Sequence, residues 1–267
     1  MKERLDVLLV KKGFFDSREK AKRAIMAGLV LIGTERYDKA GTMVPEDSEI
    51  TVKGDTCPFV SRGGLKLDKS VKLWNIDLKD KVCMDIGSST GGFTDCMLQN
   101  GASKVYALDV GTNQLAYSLR VDPRVVVMEQ TNIRDLDTDD FEKLDFVSTD
   151  VSFISLNHVF PPASALLKEG GEMVALVKPQ FEAGREKVGK GGIVRDKSVH
   201  REVIENVIKY AENAGFVPSG LSYSPITGAK GNIEYLLHLF KGGEGHERLS
   251  QEDINNIVDN SHSELDK

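Results

Sequence analysis

From Leu5 the apolar residues Leu5, Leu8 and Leu9 fall at helical spacing, and Gly13 stops the helix they predict. A second helix follows, with Ser17 able to cap it, Glu19 in its first turn, a buried face of Ala21, Ala24 and Ile25, and Gly28 as its end. Leu29 to Ile32 and Glu49 to Val52 read as short strands around a turn at Gly41. Residues 1–57 thus form a compact αα-ββ unit. Thr56 to Gly64, with Pro58 and the pair Gly63-Gly64, looks like a hinge whose linker proper is 58–64.

Beyond a helix at Leu65 to Trp74 the pattern alternates. Strands are expected at Lys81 to Ile86, Lys104 to Asp109, Val125 to Met128, Leu144 to Asp150 and Glu172 to Lys178. Helices are expected at Gly92 to Gln99, Thr112 to Arg120, Ser155 to Leu167 and Lys197 to Ala214, before a closing antiparallel pair at Phe216 to Tyr223 and Ile233 to Phe240. Such alternation with short connections implies an α/β fold, a Rossmann-like doubly wound sheet over 65–243, parallel with one antiparallel strand. Residues 244–267 are polar and acidic and read as a mobile tail or a short surface helix.

The bulk numbers exclude several classes. With 267 residues, 40% hydrophobic and 28% charged, the chain suits a folded protein of one or two domains. No apolar run approaches the roughly 18 to 20 residues that cross a bilayer, and Asp6 interrupts the apolar stretch of MKERLDVLLVKKG, which does not read as a signal peptide. A cytoplasmic protein without a membrane partner is expected. Cys57, Cys83 and Cys96 form no CxxC pair, and the five histidines show no ligand grouping, so no metal is expected. The net charge of −6 hides an asymmetry: residues 1–23 carry eight basic side chains against four acidic ones, while residues 244–267 carry seven acids against Arg248 and Lys267. A basic front end therefore precedes a mildly acidic body.

DIGSSTGGFT, from Asp85 to Thr94, has the form of a strand entering a glycine-rich turn and then a helix. Gly87, Gly91 and Gly92 let the backbone approach a ligand, with Ser88, Ser89, Thr90 and Phe93 between and beside them. The spacing is not GxGxxG, and no GK[ST] follows, which disfavours a dinucleotide or a nucleoside triphosphate. A nucleoside without phosphates remains, with S-adenosylmethionine the leading candidate. Asp109, beside Val110 at the end of the second strand and 22 residues past Gly87, can accept both ribose hydroxyls, and Asn132 after the third strand can contact adenine.

Ligands of doubly wound sheets bind beyond the carboxyl ends of the strands. Asp150 ends the fourth strand, Lys178 the fifth, and Glu234 begins the last, antiparallel one, so topology brings three distant ionic residues to one edge. Topology alone does not place Lys66, which lies on the helix before the sheet. A sulfonium donor is already activated, so the protein must align it with a hydroxyl and help that hydroxyl lose its proton. Lys178 serves in either form, neutral as a base or charged as a stabiliser of the developing alkoxide. Asp150 would orient Lys178 and contact the donor side, with Glu234 and Lys66 holding the pair by alternating charge. The loop Lys187-Val-Gly-Lys-Gly-Gly reads as a mobile basic segment near the site.

Arg4, Lys11, Lys12, Arg18, Lys20, Lys22 and Arg23 give the first two helices a row of cations suited to RNA phosphates, and Arg62 adds one in the linker. The stretch RLDVLLVKKGFFDSREKAKRAIMAGLVLIG resembles the S4 RNA-binding domain, with Gly33-Thr34 where many such domains carry Asn-Gly. SRGGLKL, DIGSSTGGFT, TDVSFISL, LVKPQFEAG and GNIEYLL together resemble the TlyA (haemolysin A) family of ribosomal RNA 2′-O-methyltransferases, which join an S4 domain to an FtsJ-like methyltransferase domain. The resemblance puts that family's Lys-Asp-Lys-Glu tetrad on Lys66, Asp150, Lys178 and Glu234. It implies a small S4-like α+β RNA-binding domain, S-adenosylmethionine as cofactor, and a cytidine ribose in ribosomal RNA within a ribosomal subunit as acceptor. Two rival readings are a membrane-acting cytolysin, against which the missing signal, span and long apolar amphipathic helix speak, and a non-catalytic RNA-binding assembly factor, which the intact tetrad disfavours.

Overall fold

The computed structural model describes residues 2–15, 17–26, 28–53, 57–242 and 246–265; Thr56, the expected start of the hinge, and residues 244, 245, 266 and 267 of the expected tail lie outside them. The chain divides into two units, Met1–Cys57 and Pro58–Lys267.

In the first unit the elements run β1 Lys2–Arg4, α1 Leu5–Lys11, α2 Arg18–Met26, β2 Val30–Ile32, β3 Glu35–Tyr37, β4 Met43–Pro45 and β5 Ile50–Val52. Strands β3, β2 and β5 make an antiparallel sheet in that order, and β1 pairs with β4. Leu5, Leu8 and Leu9 of α1 meet Ala21, Ala24 and Ile25 of α2 over Val30 and Val44 in a core of this unit's own. The Ser17 hydroxyl accepts from the Lys20 N–H at 3.4 Å, at the start of α2.

One buried charge organises the entry to α1. Asp6 is fully buried, and its carboxylate accepts from Arg4 Nε at 3.0 Å and from Arg18 at 2.8 Å. Burial pushes the Asp6 carboxyl up, but the two guanidinium groups outweigh it and hold the group at about 2. An unfolded aspartate titrates near 4, so this stabilisation is present above roughly pH 4 and is lost as pH falls toward 2. Asp6→Asn in the full chain is expected to weaken this unit by about 1–2 kcal/mol, a figure kept low because both arginines are half exposed. Amide exchange of residues 2–53 at pH 7 checks it; unchanged protection would refute the role.

The second unit runs α3 Gly64–Trp74, β6 Val82–Ile86, α4 Gly92–Gln99, β7 Lys104–Leu108, α5 Tyr117–Arg120, β8 Val125–Met128, β9 Leu144–Thr149, α6 Phe160–Leu166 and β10 Leu167–Val177. It continues through α7 Pro179–Glu182, α8 Lys197–Asn213, β11 Phe216–Tyr223, β12 Tyr235–Lys241 and α9 Gln251–Leu265. The seven-stranded sheet has the order β11-β12-β10-β9-β6-β7-β8. The run from β10 to β8 is parallel, and β12 is antiparallel to both neighbours. Strand order reverses between β6 and β9, which opens a crevice at their carboxyl ends.

Three departures from the expected elements have local causes. The helix expected over 112–120 shrinks to α5, because Asn113 takes a positive φ of 55° and Ala116 is extended, its N–H held by the Thr90 carbonyl, so helical backbone begins only at Tyr117. The helix expected from Ser155 begins as a separate short turn at Leu156–His158, and α6 then starts with Pro161 and Pro162 in its first turn. The acidic tail carries α9, whose Ile254 and Val258 are buried in the main core beside α8 and β11.

Candidate active site

Asp150, Lys178 and Glu234 each lie one residue beyond the sheet, after β9, after β10 and before β12. The register that pairs Val177 with Tyr235, and Ala175 with Thr149, sets these three residues side by side. Lys66, in the first turn of α3, reaches in from the helix.

The four form a chain of alternating charge. Lys178 Nζ lies 2.5 Å from Asp150 Oδ1, Lys66 Nζ lies 3.5 Å from Asp150 Oδ2, and Lys66 Nζ donates to Glu234 Oε2 at 2.7 Å. Lys66, Lys178 and Glu234 are buried, at 7%, 8% and 2% exposure, so their charges are desolvated and depend on one another. Burial lowers the Lys66 ammonium's pKa, but the carboxylates of Asp150 and Glu234 more than compensate, and the net shift is upward. Lys66 is therefore a fixed cation.

Two neighbours complete the cluster that the sequence reading did not single out. Lys178 Nζ donates to Ser152 Oγ at 3.0 Å, and Gln180 Nε2 donates to Glu234 Oε1 at 3.2 Å. Each lies two residues past a tetrad position, Ser152 after Asp150 and Gln180 after Lys178, where the chain turns away from the sheet edge. That spacing was the available signal. An ammonium has three donors. Asp150 and Ser152 engage two of those of Lys178, leaving one for a ligand.

Two adjoining cavities meet at this cluster. The smaller, about 460 Å³, is lined by Lys66, Lys178, Asp150 and Arg62 with Asp85 and Phe93, and is flanked by Gly92 and Ser88. The larger, about 770 Å³, is walled by Ile86, Leu108, Val110 and Ile133 with Asp109 and Asn132 at its polar points. Gly87, Ser89, Asp150 and Ser152 line both. A cleft with an apolar wall on one side and convergent polar and charged groups on the other is suited to a polar small molecule.

The glycine turn packs closely on the chain just past β9. Gly87 sits at φ +85°, and a Cβ there would come within 2.9 Å of the Asp150 carbonyl oxygen. Asp109 accepts from the Ser89 N–H at 2.8 Å and the Gly111 N–H at 2.7 Å, which fixes its carboxylate and leaves lone pairs on both oxygens for hydroxyl donors. Asn132 caps a turn through the Arg134 N–H at 3.1 Å. Asp85 is fully buried; burial pushes its carboxyl up to about 7, against hydrogen bonds from the Thr94 N–H and hydroxyl at 2.9 and 2.7 Å.

Thr90 and Gly91 line neither cavity. The Thr90 carbonyl accepts from the Ala116 N–H at 3.1 Å, and Gly91, at φ +96°, leaves space that the Leu115 and Leu119 side chains fill. These two residues close the turn from behind.

The expected RNA-facing cations divide by environment. Arg4 and Arg18 are engaged with Asp6, Lys11 lies 3.2 Å from Glu3 and 3.5 Å from Glu46, and Lys12 donates to the Ser48 carbonyl. On α2, Lys20 and Arg23 are exposed and Lys22 is half-buried. Arg62 is exposed at the mouth of the smaller cavity. The loop expected to be mobile and basic is braced by Lys187, which pairs with Glu202 at 2.5 Å. Among the described residues, no group of three or more His, Cys, Asp or Glu could hold a metal ion, and no helix is long and apolar enough to cross a membrane.

The FtsJ-like methyltransferase profile matches residues 59–241, and the S4 domain profile matches residues 3–50. YqxC of Bacillus subtilis is 55% identical, covering 99% of this chain and 95% of its own. The 16S/23S rRNA (cytidine-2′-O)-methyltransferase TlyA of Mycobacterium tuberculosis is 41% identical over 88% of this chain and 89% of its own. A Streptococcus thermophilus protein of solved structure, described as a hemolysin, superposes with a TM-score of 0.79 at 50% identity, covering 99% of this chain and 97% of that one.

Proposed function

The chain belongs to the TlyA family, which joins an S4 domain to an FtsJ-like methyltransferase domain, and from that membership we propose the roles of its reaction centre. Its activity is S-adenosylmethionine-dependent 2′-O-methylation of cytidine ribose in ribosomal RNA. The observation that carries the assignment of roles is the position of Asp150: it lines both cavities and holds Lys178 at 2.5 Å.

In this reading Gly87, Ser89, Asp109, Val110 and Asn132 hold the cofactor in the larger cavity, with Asp85, Ser88, Gly92 and Phe93 supporting the turn from the smaller one. S-adenosylmethionine supplies a methyl group already activated on a sulfonium. Lys178 directs its remaining Nζ position at the acceptor hydroxyl: as a neutral amine its lone pair takes the hydroxyl proton, and as an ammonium its third N–H donates to the developing alkoxide while the proton passes to water. Asp150 and Ser152 fix the direction of Nζ. Lys66 neutralises the second oxygen of Asp150, and Glu234, oriented by Gln180, neutralises Lys66, so the position of Lys178 Nζ is held by a chain of ion pairs.

The S4 unit, residues 1–57, grips RNA through Lys11, Lys12, Lys20, Lys22 and Arg23, with Arg4 and Arg18 shaping that face as they hold Asp6. Arg62, in the 58–64 linker, meets the phosphates beside the acceptor, and the catalytic domain spans 65–243. The acceptor is reached in a ribosomal subunit, in the cytoplasm where such subunits are assembled.

The test is methyl transfer from labelled S-adenosylmethionine to purified ribosomal RNA or subunits, with ribose methylation mapped in RNA from cells with and without the gene. A new 2′-O-methylcytidine that depends on the gene is expected. Transfer to a base, or no transfer to either subunit, would overturn the reading.

A further inference from the structure

The loop from Val110 to Ala116 walls the larger cavity through Val110 and Gln114, yet it has no regular secondary structure of its own. A side chain from outside the loop gathers its centre. Glu129, just past β8, accepts from the Asn113 N–H at 2.8 Å through Oε2, and from the Gln114 and Leu115 N–H groups at 3.0 and 3.4 Å through Oε1. Arg120 of α5 donates to the same Oε1 at 2.5 Å. Three successive backbone N–H groups pointing at one place form an anion-binding nest. Here an internal carboxylate fills the nest.

Backbone bonds tie the same loop to the rest of the cleft. The Gln130 N–H donates to the Gly111 carbonyl at 3.0 Å, and the Ala116 N–H donates to Thr90 in the glycine turn at 3.1 Å. Asn113 and Gln130 both take positive φ, at 55°, a conformation that needs outside support in non-glycine residues. The Arg120 guanidinium and the backbone N–H groups hold the Glu129 carboxyl well below the usual range, at about 2, so the clamp is charged throughout the physiological range. The apolar pattern of 112–120 by itself favours a helix, which would carry Gln114 to a different place.

We propose that Glu129 is a positioning residue for the methyl donor, locking the 110–116 loop as a preformed wall of the cofactor cavity. The identity of the donor rests on the function proposed above; the clamp itself does not. Preformation spares the binding step the ordering of seven residues, so its loss falls on cofactor affinity and leaves the reaction centre intact.

Two measurements on the full chain test this. In the wild-type protein without cofactor, hydrogen exchange at the Asn113, Gln114 and Leu115 amides should already be strongly protected; fast exchange at all three overturns the clamp whatever the ligand. In Glu129→Ala, with Glu129→Gln as the milder change, KM for S-adenosylmethionine should rise about tenfold or more while kcat stays within about twofold. A folded Glu129→Ala protein with unchanged KM, or with kcat lowered and KM unchanged, overturns the positioning role. Wild-type protein that shows the amide protection but binds no S-adenosylmethionine refutes the functional reading and not the clamp.

Discussion

Replacing Lys178 with alanine is expected to lower methyl transfer by about 10²- to 10⁴-fold, the range that a positioned proton-transfer group contributes. The expected loss in stability is small by comparison. Lys178 is the end of the charge chain, and without it Asp150 keeps Lys66 at 3.5 Å and remains partly exposed to water. The informative second variant is Lys178→Arg. Its guanidinium keeps a positive charge near Asp150 and Ser152 but cannot give up a proton near neutral pH. If Lys178 acts as a base, the arginine variant should be as inactive as alanine; if it acts by stabilising negative charge at the acceptor oxygen, a substantial part of the rate should return. Single-turnover transfer with saturating RNA and cofactor separates these outcomes from weakened binding. Undiminished transfer in a folded Lys178→Ala protein would remove Lys178 from the mechanism altogether.

Three of the four tetrad positions were legible because their placement follows from strand direction alone. In a parallel sheet the residue after each strand lies on one edge, and an antiparallel strand starts where its neighbour ends, so Asp150, Lys178 and Glu234 had to meet. Lys66 had no such constraint. The apolar pattern of α3 leaves the pivot of that helix over the sheet undefined, and the family resemblance supplied the position instead. What the pattern reading lost was lost to contacts from distant parts of the chain. Periodicity over 112–120 is helical, but no local signal announces that Asn113 turns to positive φ under the carboxylate of Glu129, just past β8, or that Thr90 holds Ala116 extended. In the S4 unit β1 to β5 are each three residues long; β1 (KER) and β3 (ERY) lack the β-branched or apolar run that marks β2 (VLI) and β5 (ITV), and β4 (MVP) ends in proline. The acidic tail is a different case, since its signals were present. Ser250 and Asp253 form a reciprocal cap, the Asp253 N–H donating to the Ser250 hydroxyl at 3.2 Å and the Ser250 N–H to Asp253 at 2.9 Å. Ile254, Ile257 and Val258 then fall on one face, and net acidity masked a docked helix.

The other large effect is expected at Glu234, for the opposite reason to Lys178: it is the most deeply buried member of the chain and faces the most deeply committed cation. Glu234→Ala leaves Lys66, 7% exposed, with only the longer contact to Asp150. Breaking a buried pair by removing one partner typically costs about 3–5 kcal/mol, and unfolding of the Pro58–Lys267 unit should shift by that order. Transfer should fall as well, because Asp150, drawn toward Lys66, no longer fixes Lys178. The pH dependence identifies the cause. In the wild-type protein the Lys66 pKa is raised, so its stabilisation is complete below the unfolded value near 10.4 and fades only above it. Burial is the largest single influence on Lys66, and Glu234→Ala removes two of the four that oppose it while Asp150 remains, so the folded-state pKa is expected to fall below the unfolded one. The unfolded chain then binds the extra proton, and the variant regains stability as pH rises. Denaturant unfolding at pH 7 and pH 9.5 should therefore show a smaller deficit at the higher pH. In Lys66→Met/Glu234→Leu the deficit should largely disappear while transfer stays low, since packing replaces the ion pair but nothing replaces its hold on Asp150. A Glu234→Ala deficit that is independent of pH, or a double variant that recovers activity along with stability, would show that the alternating charges do not act as one unit.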